Sequence, residues 1–160
     1  VNNPYQPTDP TQASQAATSL NGLPTLEDTQ AALKAAIEDV GQRISTLDPA
    51  AVPPVAFSWR HTESRTGCTP PYEQSPGKEI LMPSYVSEVP IAERYWPQAL
   101  DIAKSAAATL GATNVTVFKD EPNNHDVQFS GDTGTTFRFG SQAAVLITGG
   151  TGCRLPADEH

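Results

Sequence analysis

From Asn114 to Thr148 the chain alternates apolar and polar residues with a period of two, and this pattern limits the fold more than any other feature. Asn114–Phe118, Asp126–Ser130, Thr135–Phe139 and Ala143–Thr148 each send successive side chains to opposite sides of an extended backbone. Gly131-Asp132-Thr133-Gly134 joins two of these runs and has the composition of a hairpin turn. Two earlier segments are also extended. Val55, Phe57 and Trp59 alternate with Ala56, Ser58 and Arg60, and a looser run covers Glu79 to Val86. Pro83 interrupts that second run, which predicts an edge strand.

Upstream the period changes to that of a helix. Leu26, Leu33, Ile37, Val40, Ile44 and Leu47 form one stripe, read as core. Thr25 with Asp28 has capping-box spacing, and Asp48-Pro49 stops the helix. A second helix is expected from Ala92 or Trp96 to Leu110, with Pro97 in its first turn and Gly111 as its stop. Strands segregated after a helix predict an α+β layer. We expect two helices on one face of a mostly antiparallel sheet of about five to six strands, with room for one parallel pairing.

Composition sets the domain limits. Fewer than one residue in five is Leu, Ile, Val or Phe, and residues 1–24 hold only Val1, Leu20 and Leu23 from that set. That segment, with four prolines and one charge, is expected to be a mobile tether, because it cannot offset its ordering entropy. Residues 25–160 are then a single domain. Net charge is −8 with no Lys/Arg cluster, which argues against a nucleic-acid partner. No apolar run is long enough to span a membrane.

Four motifs suggest chemistry and fall short of it. Asp132-Thr133-Gly134 matches the aspartic-protease triplet, but Ser130-Gly131 replaces the apolar lead-in strand, and a hairpin explains it better. Val145 to Gly152 resembles the start of a nucleotide-binding unit, yet the chain ends at His160 with no helix to hold a pyrophosphate. His61-Thr62-Glu63 with Cys68 lacks the Pro-Cys-x-x-Cys partner that would complete a zinc-deaminase site, since only one other cysteine exists. Asp120, Glu121, His125 and Asp126 flank Pro122-Asn123-Asn124 and read as a polar turn, not a metal loop. No cofactor is implied. If the chain is a hydrolase, Asp132, His61 and His125 are the residues to inspect.

Cys68 and Cys153 sit beside glycines in turn-like contexts. In a domain with the marks of export, two such cysteines are expected to pair with each other. Closing that loop would stabilise the fold by roughly 4–5 kcal/mol on the chain-entropy model. It would also bring the first strand close to the last.

Several segments carry a family resemblance: Gly67-Cys68-Thr69-Pro70-Pro71-Tyr72, Trp96-Pro97-Gln98-Ala99-Leu100 and Gly111 to Asp120. Asn124-His125-Asp126-Val127, Gly140-Ser141-Gln142 and Thr151 to Pro156 extend it. Over residues 25–156 the chain resembles the LppA-like lipoproteins of mycobacteria. The resemblance implies export, cleavage at a lipobox, and anchoring of a diacylglyceryl cysteine at the outer face of the cytoplasmic membrane. No cysteine precedes Asn2, so the anchor is expected just upstream of this sequence, with residues 1–24 as its tether. The role expected is binding or scaffolding rather than catalysis. The alternative is a carrier of a small amphiphile or envelope lipid, with Phe57, Trp59, Tyr85, Tyr95 and Trp96 as its aromatic walls.

Overall fold

The second helix of the protein shows how its sequence pattern becomes packing. In the computed structural model, which describes residues 7–160, helix α2 spans Leu26–Ser45 and Thr25 caps it by accepting from the Asp28 amide. Leu26, Leu33, Ile37, Val40 and Ile44 are all at most 2% exposed. Each such side chain contributes about 1.5–3 kcal/mol relative to an exposed one. Helix α3, Trp96–Thr109, follows a 3₁₀ turn at Glu93–Tyr95 and buries Trp96, Ala99, Ala103 and Ala107. Both helices share one core with Phe129, Phe137, Phe139, Val145 and Ile147. They therefore lie on one face of the sheet.

Eight strands form that sheet: β1 (Ser58–Arg60), β2 (Ser64–Gly67), β3 (Lys78–Leu81), β4 (Ser84–Ser87), β5 (Asn114–Glu121), β6 (Asn124–Ser130), β7 (Thr136–Ser141) and β8 (Val145–Gly150). The main order is β1-β4-β8-β7-β6-β5, with β3 continuing beside β8 and β2 pairing with β3. Every pairing is antiparallel. Among the described residues, three helices and eight strands exceed the expected two and five to six.

The extra elements have physical causes. The Glu79–Val86 run divides at Met82-Pro83 into β3 and β4, because proline has no amide to donate to the ladder. Across the break the Thr148 hydroxyl donates to the Met82 and Pro83 carbonyls, and Met82 N donates to Gly149 O. So the run is not the expected edge: β4 lies inside the sheet, between β1 and β8. The possible parallel pairing of first and last strands is likewise not formed. β1 and β8 run the same way, but β4 separates them and pairs antiparallel with both.

The expected mobile leader needs the largest correction. Residues 1–6 lie outside the described residues, but helix α1 spans Pro10–Ser19 and a 3₁₀ turn covers Leu20–Gly22. Asp9 caps α1 by accepting from the Thr11 and Gln12 amides. Leu20 is 1% exposed in a small cluster with Cys153 and Leu155, and Cys68 and Tyr72 pack against it. The segment lacks apolar residues for a core of its own and instead completes one made by the far end of the chain. At its centre Cys68 is bonded to Cys153, with Cα atoms 5.6 Å apart across 85 residues of sequence.

Candidate functional site

The strict alternation that buries Phe129, Phe137, Phe139 and Ile147 also sends their sequence neighbours to the opposite face of the sheet. There Val86 and Leu146 are register partners, flanked by Ser84, Thr148 and Gly140. Together with the β7–β8 turn they line a groove of about 440 Å³. Its lining comes only from strands and that turn, with no helix residue.

Charge is fixed at one wall. Arg138 donates to both oxygens of Asp126, Nε to Oδ1 at 3.0 Å and Nη2 to Oδ2 at 2.6 Å. Its guanidinium also lies 4.6 Å from the Phe118 ring centroid. Arg138 is charged at any physiological pH, and the bond to Asp126 raises its pKa further. Gly140 keeps the floor low: a Cβ there would lie 2.8 Å from the His125 carbonyl oxygen. The result is an apolar strip edged by one rigid ion pair.

Behind the groove, on the helix side, sits the most organised titratable cluster of the molecule. The His125 ring is stacked on Trp96 at 4.2 Å, and Trp96 is stacked on Phe139 at 5.1 Å. Nδ1 lies 3.0 Å from Asp120 Oδ1, and Nε2 lies 2.8 Å from Glu93 Oε1. A carboxylate oxygen only accepts, so both bonds exist together only when both ring nitrogens carry hydrogen. Glu93 also accepts from the Asn123 amide, and this bond, then the one to His125, holds its carboxyl below the usual range. Both ring nitrogens face carboxylates, and neither faces a hydroxyl or thiol that it could activate. The cluster ties the turn before α3 to the β5–β6 hairpin.

The residues named from sequence are not brought together. Asp132 is exposed in the β6–β7 turn, where Gly134 N donates to Gly131 O and Gly134 has φ of +92°. His61 is exposed in the β1–β2 turn, and His125 starts β6 at the end opposite Asp132. The aromatics divide into two groups rather than lining one cavity. Phe57 and Trp59 pack on Tyr85 at 5.3 and 4.6 Å, close to Gly41 of α2. Trp96 belongs to the His125 stack, and Tyr95 lies under Arg94. Among the described residues no group of three or more His, Cys, Asp or Glu is placed to hold a metal ion. No helix there is long and apolar enough to cross a membrane.

Sequence reasoning passed over Arg138, Leu146 and Glu93. For the first two the signal was present, because alternation puts them opposite the buried phenylalanines. For Glu93, 32 residues from His125, there was none.

Comparison with known proteins adds the following. A family model described as LppA, a lipoprotein confined to pathogenic Mycobacterium, matches residues 1–157. A crystal structure of a lipoprotein, LppA of Mycobacterium tuberculosis, superposes with a TM-score of 0.69 at 15% identity, covering 92% of this chain and 89% of that one. A protein of the DUF4853 family from Actinomyces odontolyticus aligns with a TM-score of 0.52 at 14% identity, covering 86% and 72%. At these identities the two structures support the fold alone. No curated protein sequence matches the chain significantly.

Proposed function

Because the chain belongs to the LppA family of mycobacterial lipoproteins, we propose that it is an envelope binding module that recognises a protein partner through the helix-free face of its sheet. In this reading a lipid-modified cysteine N-terminal to residue 1 holds the domain at the outer face of the cytoplasmic membrane. The observation that carries the reading is the groove over Val86 and Leu146. An apolar centre edged by a rigid Arg138–Asp126 pair is the anatomy of a protein interface, with a hydrophobic middle and a polar rim. A lipid carrier would need an enclosed apolar cavity, whereas this groove is open along the sheet. A hydrolase would need a nucleophile beside a base, and His125 bonds only to carboxylates.

A photo-cross-linking side chain at position 146, compared with one at Asp101 on the exposed side of α3, tests the proposal in the native envelope. The expected result is a discrete protein adduct from position 146 and none from 101. An adduct of lipid mass from 146 would favour the carrier. Equal, diffuse labelling from both positions would contradict a binding role for this face.

A further inference from the structure

At the end of the domain that carries the disulfide, Arg154 is only 3% exposed. Its guanidinium donates to the Thr133 and Cys153 carbonyls through Nη1, and to the Thr133 and Thr135 hydroxyls through Nη2. All four acceptors are neutral. The fifth donor, Nε–H, is buried and has no partner. Among the described residues no carboxylate pairs with it. A buried cation without a counter-charge is costly, and burial lowers the Arg154 pKa as that cost requires.

Arg154 forms part of the wall of a pocket of about 220 Å³. The first turn of α2 (Asp28, Thr29) contributes one side, and the hairpin residues Thr133 and Thr135 another. Two features there favour negative charge. The guanidinium is uncompensated, since the acceptors around it are all neutral. The Thr133 hydroxyl accepts from Arg154, which leaves its own proton free to donate outward. Asp28, the one carboxylate in the lining, is exposed at the rim.

We propose that this pocket binds a small oxyanion, the carboxylate or phosphate group of a ligand, which supplies the counter-charge Arg154 lacks. The site is independent of the sheet-face groove, shares no residue with it, and stands or falls separately.

Because Nε–H is buried, its proton is a local reporter in a ¹H–¹⁵N spectrum. The oxidised chain of residues 1–160 is titrated with sodium phosphate, sodium acetate or sodium chloride at constant ionic strength. A saturable shift of the Arg154 Nε–H signal is expected with phosphate or acetate but not with chloride. Whichever anion acts identifies the group. The thermal midpoint is expected to rise by about 5 °C at ~100-fold excess over Kd. Ala32→Leu, an exposed lining position, fills the pocket and leaves Arg154 in place, so it should abolish both effects while the ligand-free midpoint stays within about 2 °C. No anion-specific shift up to molar ratios that saturate weak sites would overturn the proposal. So would equal effects of all three salts, or a shift that survives Ala32→Leu.

Discussion

The two faces of this sheet are built from the same strands by alternate residues, and they differ in almost everything else. On one face Phe129, Phe137, Phe139, Val145 and Ile147 are all at most 1% exposed under α2 and α3. On the other, Leu146 is 38% exposed and Phe118 is 49% exposed beside Arg138. One face holds the fold together, and the other is available to a partner. Neighbouring residues in sequence should therefore fail in different assays, one in stability and the next in recognition.

The comparison is broken most severely by removing what both faces depend on. Replacing Cys68 and Cys153 together by alanine should cost about 4–5 kcal/mol on the chain-entropy model. Chemical denaturation of the double variant measures it, and a cost under about 1 kcal/mol would mean the bridge only decorates a corner already held by packing. Next comes Phe137→Ala, expected to cost about 3–5 kcal/mol because the side chain is fully buried. An outward-facing residue of the adjacent strand gives the contrast: Leu146→Arg should stay within about 0.5 kcal/mol of the parent while losing the cross-link made from a probe at Thr148. Comparable destabilisation by both variants would erase the distinction between the faces.

Leu20→Ala tests the corner where α1 docks and should cost about 2–3 kcal/mol, since that side chain is 1% exposed in a small cluster. A free tether would show no change. The smallest effect concerns pH. The Glu93 carboxyl binds its proton at lower pH in the folded chain than in the unfolded one, so the unfolded form takes up more protons in between and stability falls as pH falls. The wild-type midpoint should decline from about pH 5 toward pH 3 more steeply than that of Glu93→Gln. Identical profiles would mean that the carboxylate contributes nothing to the tie between α3 and the β5–β6 hairpin.

What could be read from the sequence follows the same division. The helix-facing layer was legible because α2, α3 and β6 to β8 each repeat their apolar residues at the period of their own geometry, whereas β5 repeats the same pattern and is exposed along its whole length. The disulfide was legible because two cysteines in turn contexts had few other uses. Residues 8–22 were not, because Leu20 is buried with Cys68, Tyr72, Cys153 and Leu155, all more than 40 residues away, and no local pattern encodes a borrowed core. β2 was hidden too, since Ser64–Gly67 has no apolar residue and is exposed throughout. Alternation placed Arg138 and Leu146 on the second face, yet an uncovered face and a covered one look alike until the helices have been counted. Arg154 was the least visible, as a charged residue in a C-terminal tail ordinarily faces water.

Hydroxyl-radical footprinting of the protein in its native envelope, compared with the purified domain, tests most directly whether the helix-free face is engaged. Leu146 and Phe118 should be oxidised less in the envelope than in the purified protein. Val52, 93% exposed in the loop after α2 and away from the groove, should react equally in both. Equal oxidation of Leu146 and Phe118 in the two preparations would contradict the assignment of this face to a partner.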